Sequence, residues 1–165
     1  MGRFTVLAVR IVIGLVLLGS VGVQVVMVPL FAADLNELSA EYAYLRAPLI
    51  ILALLGILGV QIALVCVWRL VSMVRRGTVF SDGAFRFVDI TIGAITGEAL
   101  LAFVLGTLLA PGDAVPPGMV LLIGGAGVLT AGVALIVLVL RMLLAQAVAR
   151  NAEAKQLEAE LHGVI

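Results

Sequence analysis

The stretch Ile90-Thr-Ile-Gly-Ala-Ile-Thr-Gly-Glu98-Ala-Leu-Leu-Ala-Phe-Val-Leu-Gly-Thr-Leu-Leu-Ala110 carries no charge along its 21 residues except at one carboxyl. A helix of that length measures about 31 Å, the thickness of a bilayer's hydrocarbon core. Three more runs of this kind stand at 11–31, 48–68 and 119–140, and Glu98 is the only acidic or basic side chain within any of the four. A carboxylate near the centre of a span costs roughly 2.5 to 3.5 kcal/mol on insertion scales, so Glu98 reads as a functional or helix-pairing position with a partner.

Composition supports the same class. With 64% hydrophobic and 12% charged residues and a mean hydropathy of +1.29, the chain has too little polar surface to wrap itself as a soluble globule. The expected fold is an all-α membrane protein, four transmembrane helices in an antiparallel bundle within a single membrane domain. A net charge of zero argues against direct nucleic-acid binding. One cysteine, Cys66, excludes an internal disulfide, and one histidine, His162, excludes a His-rich metal site. No cofactor or metal is expected. The first run has the outline of a signal sequence, with Arg3 and Arg10 ahead of it. It exceeds a typical apolar signal core and no small residue stands three before the cut at Ala33, so it reads as a retained anchor.

The basic residues set the orientation. Arg3 and Arg10 precede the first span, Arg69, Arg75, Arg76 and Arg86 crowd the second connection, and Arg141, Arg150 and Lys155 follow the fourth span; Arg46 alone lies opposite. The positive-inside rule then places both termini and the middle connection in the cytoplasm of a bacterial inner membrane. The outer connections are short. Pro111-Gly-Asp-Ala-Val-Pro-Pro-Gly118 is a turn-rich hairpin, and the segment from Asp34 to Tyr44 suits a short surface helix with its tyrosines at headgroup level.

Small residues predict how the helices meet. Gly93-x-x-x-Gly97 on the third span is a small-xxx-small motif, answered by Gly124 and Gly127 on the fourth and by Gly56 and Gly59 on the second. Counting inward from the cytoplasmic ends puts Gln61 about 10 Å, Glu98 about 12 Å and Thr130 about 15 Å deep, an expected polar layer; Gln24, about 20 Å deep, needs a tilt or a water to join it. A neutral Glu98 donating to Gln61 or Thr130 is structural glue worth roughly 0.6 to 2 kcal/mol. The alternative is a proton- or cation-binding site in a small transporter, weakened by the lack of a polar path to either surface.

Two cytoplasmic segments complete the reading. In Phe80-Ser81-Asp82-Gly83-Ala84-Phe85, Ser81 suits a helix cap and Phe80 can staple onto Phe85, starting the third helix about six residues before the bilayer. Arg69, Arg75 and Arg76 beside it suit anionic lipid headgroups, and Phe80 and Ser81 a docking face for a partner. The tail at 141–165 continues the fourth helix into the cytoplasm, with Leu157 and Leu161 on an apolar seam. It is a packing extension, a homodimer seam, or a handle for a partner helix.

The segment Arg75-Arg76-Gly77-Thr78-Val79-Phe80-Ser81 and the ending Leu157-Glu-Ala-Glu-Leu-His-Gly-Val-Ile165 resemble the bacterial four-span membrane proteins grouped as domain of unknown function number twenty-nine seventy-five. The resemblance covers essentially the whole chain; the tail is the looser piece, since relatives often carry Glu-Asn-Asp-Leu-Thr where this chain has Glu-Ala-Glu-Leu-His. The family defines no catalytic residues. What it implies is context: such genes often lie beside a small helix-turn-helix regulator, which suggests a regulatory partner.

An enzyme is not expected. No nucleophile stands with a base, no metal-ligand spacing occurs, and Gly124-Gly125-Ala126-Gly127 lacks the lysine of a phosphate loop. The expected function is a regulatory or interaction protein engaging a cytoplasmic helix-turn-helix partner, with a small proton- or cation-coupled transporter using Glu98 as the alternative.

Overall fold

In the computed structural model the described residues are 3–36, 40–76, 82–111 and 115–163. They fold into five α-helices: α1 (Arg3–Gly22), α2 (Val28–Asn36), α3 (Arg46–Arg76), α4 (Asp82–Leu109) and α5 (Pro117–Gly163). No strand occurs among the described residues. A π turn, Val23–Met27, joins α1 to α2, and a 3-10 turn, Ala40–Leu45, leads into α3.

Proline explains most of these boundaries. Pro29 has no N–H to offer the carbonyl of Val25 and its ring crowds that carbonyl. One turn earlier the helix widens, and the Val28 amide donates to Val23 O, five residues back. The rod then continues to Asn36 instead of ending at residue 31. Pro48 falls in the first turn of α3 and Pro117 opens α5, where a missing amide proton costs nothing. At the other end of α4, Ala110 stands before Pro111, a position that disfavours helix; its amide closes the last turn on Gly106 O at 3.0 Å. The short helix expected from Asp34 to Tyr44 is thus replaced by the end of α2 and the 3-10 turn, whose Leu45 is 2% exposed, with residues 37–39 lying outside the described residues.

Residue pairings show the helices to be antiparallel. Arg10 meets Ser72 and Gly14 meets Trp68 between α1 and α3. Glu98 meets Gly56 and Gly59 between α4 and α3; Gly106 meets Ile123 and Asp89 meets Arg141 between α4 and α5. The extensive contacts join α4 to α5 and to α3, and smaller ones join α1 and α2 to α3. Neighbours in the packing are thus neighbours in the chain.

Little of this surface is covered by protein. Leu121, Leu122 and Leu129 on α5 are 77, 75 and 73% exposed. Exposed apolar faces so continuous are untenable in water and ordinary in hydrocarbon. The four segments Val6–Asn36, Tyr42–Met73, Gly83–Leu109 and Pro117–Glu158 are each long and apolar enough to cross a membrane.

Candidate functional site

Glu98 lies well inside α4, and its carboxyl is pressed onto the backbone of α3. Its Oε1 occupies the space where a Cβ would stand at Gly59, and such a Cβ would also lie 3.1 Å from Cδ; its Oε2 is 3.5 Å from the Cβ position of Gly56. The two glycines are therefore a slot for the carboxyl. Inside the slot Oε1 is buried and has no hydrogen-bond partner. Outward from the slot runs an apolar cavity of about 340 Å³ between α2, α3 and α4, lined by Phe31, Leu49, Leu52 and Leu105 as well as by Gly56 and Glu98.

The expected polar layer does not assemble around Glu98. Gln61 Nε2 donates instead to Gln24 Oε1 and to Ser20 Oγ, each at 3.2 Å. Ser20 in turn donates to Leu17 O at 2.8 Å. Azimuth is the reason: two residues along a helix turn through about 200°, so Gln61 faces α1 while Gly59 faces α4. Register contributes as well: the Arg10–Ser72 contact aligns α3 with α1 so that Gln61, eleven residues before Ser72, comes level with Ser20, ten residues after Arg10. Thr130 also stays apart from Glu98, its hydroxyl donating to Ala126 O of its own helix at 2.8 Å.

The small-residue motif is corrected too. A Cβ at Gly93, Gly97 or Gly124 would meet nothing within 4 Å, so these glycines lie off the helix interfaces. Of the four glycines expected to pack on the third and fourth spans, Gly127 is in contact, its Cβ position 3.3 Å from Ala102 Cβ and 3.4 Å from the Phe103 ring. Gly56 and Gly59, on the second span, approach α4 through the carboxyl.

Two polar clasps at the other end of the helices escaped the sequence reading. Arg10 Nη2 donates to Ser72 Oγ at 2.7 Å, and its guanidinium stands 5.6 Å from the Trp68 ring centroid. Arg141 forms an ion pair with Asp89, its Nη2 donating to Oδ2 at 2.8 Å while Nε lies 2.7 Å from Oδ1 without donating to it, and its guanidinium stands 5.8 Å from the Phe85 ring. A signal existed for the second. Asp89 stands 22 residues before Pro111 and Arg141 stands 23 after Gly118, equidistant arms of one hairpin.

The remaining predicted contact residues sit at the same end. Arg69 is exposed on α3. Arg75 and Arg76 lie in the last turn of α3 and Leu161 in the last turns of α5, their side chains outside the described set; Phe80 and Ser81 fall outside the described residues, immediately before α4 begins. Leu157 is 61% exposed. Cys66 is a buried free thiol, and among the described residues no group of three or more His, Cys, Asp or Glu comes together as a metal site.

An all-α chain with four membrane-length antiparallel helices is a multi-pass membrane protein. The family described as protein of unknown function (DUF2975) matches residues 30–165, and the chain belongs to that family. No curated protein and no solved structure matches it.

Proposed function

We propose that the chain is a non-enzymatic regulatory or interaction protein of the bacterial inner membrane, with both termini in the cytoplasm and its fourth helix held out to a partner protein. The overhang of α5 supports this reading. In the register of the α4/α5 pair, the start of α4 lies opposite about residue 148, so some 15 residues of α5, about 22 Å, outrun their neighbour. From residue 149 to 158 every side chain is exposed, which argues against the tail as a packing extension of its own molecule.

The orientation rests on the arginines gathered at that end, which also suit anionic headgroups at about 1 kcal/mol each. The partner class, a small helix-turn-helix DNA-binding protein, is the one the family resemblance implies; a second copy of the chain is the other occupant of the tail. The test is a mild-detergent pull-down from native membranes beside a truncation ending at Arg150, which keeps the Asp89–Arg141 clasp. Capture of the same DNA-binding protein by both forms, or by neither, sinks the reading.

A second reading, proton- or cation-coupled transport, draws on the buried and unpartnered Oε1 of Glu98. Glu98→Gln would abolish a coupled flux in proteoliposomes and leave the regulatory interaction intact.

A further inference from the structure

We infer that the cavity outward of Glu98 is a binding site for an amphipathic organic cation, with its ammonium on the carboxyl and its apolar body lying between Leu52 and Leu105. The lining decides the class of ligand. Glu98 supplies the only charge in a wall otherwise made of Phe31, four leucines, two alanines and Gly56. A metal ion needs several oxygen ligands and a hydrated ion needs a polar wall, and neither is present in this lining. An organic cation brings its own apolar shell and asks the site for one counter-charge.

Size and placement agree with that occupant. At about 340 Å³ the cavity lies within the range of small-molecule sites. Oε2, on the Gly56 side, is the oxygen nearer the cavity, since Gly56 lines it and Gly59 does not. Leu49 and Leu105 lie about 10 Å further along their helices than Gly56 and Glu98, so the apolar trough extends toward the outer connections. An ammonium there would neutralise a charge that hydrocarbon otherwise penalises. Glu98 can serve because Gly56 and Gly59 leave the carboxyl room on one side while the cavity leaves it access on the other.

This inference shares its carboxyl with the transport reading but requires no translocation: saturable binding without flux keeps the site and overturns transport. The experiment is equilibrium binding of radiolabelled dodecyltrimethylammonium to the full chain in phosphatidylcholine nanodiscs. The expected result is a saturable component above lipid partition, weakened about 30-fold or more by Glu98→Gln. Leu52→Trp, which fills the cavity and keeps the carboxyl, has the same effect; dodecanol, with the same tail and no charge, fails to compete. Binding unchanged in either monodisperse variant, or displaced equally by dodecanol, overturns the site. If Glu98→Gln does not yield monodisperse protein, Leu52→Trp decides alone.

Discussion

A methyl group added at Gly59 would run into Glu98 Oε1, so the two residues are one unit although 39 positions separate them. Gly59→Ala must push either the carboxyl or the helices apart, and we expect a loss of about 1 to 3 kcal/mol, read as a lower melting temperature in detergent. Adding Glu98→Ala to Gly59→Ala should recover most of that loss, because the clash goes with the carboxyl. Gly93→Ala tests the opposite case. Its Cβ meets open space, so the exchange should be neutral or stabilise by up to about 1 kcal/mol through helix propensity. Equal damage from Gly59→Ala and Gly93→Ala would refute this assignment of the glycines. That Glu98 matters was legible in the sequence, because a lone carboxyl in an apolar run is costly wherever it points. Its direction was not legible, since Gly93 and Gly97 offer the same small surface to a pattern search as Gly56 and Gly59.

Pairs of helices are tied by different chemistry at different depths. Where α3 meets α1 and the π turn that follows it, the amides of Gln61 and Gln24 and the hydroxyl of Ser20 come together, and Gln61→Leu would leave two polar partners facing hydrocarbon. The expected cost is about 0.6 to 1.7 kcal/mol, measured as a shift in reversible detergent unfolding. Between α4 and α5 the Asp89–Arg141 ion pair, with one hydrogen bond, closes the hairpin at the far end from Pro111. Its side chains remain 50 and 31% exposed, so solvent screens the pair. A double-mutant cycle of Asp89→Asn and Arg141→Gln should give a coupling of about 0.5 to 1 kcal/mol that fades with added salt; a salt-independent coupling would contradict the exposure. At this scale the sequence specified helix type and approximate length. It did not reveal that α2 carries the first rod on to Asn36, because a hydropathy window ends at Phe31 while the backbone, relaxed by one π turn ahead of Pro29, has no reason to stop.

For the whole molecule, contacts follow chain order and the fourth helix outruns the rest. A single cysteine at position 157, in a Cys66→Ala background, should react with a membrane-impermeant maleimide in inside-out vesicles and remain unlabelled in intact spheroplasts. Labelling from outside would invert the proposed topology. Truncation after Arg150 should leave the melting temperature unchanged within error, since the removed residues among those described are exposed.

The class of the molecule was determined by the sequence alone, because transfer from water to hydrocarbon sums over each run of about 20 residues and does not depend on what the run touches. Which faces meet depends on rotation about each helix axis and on a register set at a few points, Arg10 with Ser72, Glu98 with Gly59 and Asp89 with Arg141. Those contacts join residues 39 or more positions apart. Only the tertiary structure could therefore separate Gln61 from Glu98, leave Gly93 and Gly97 open, and set an unpartnered carboxyl at the head of an apolar cavity.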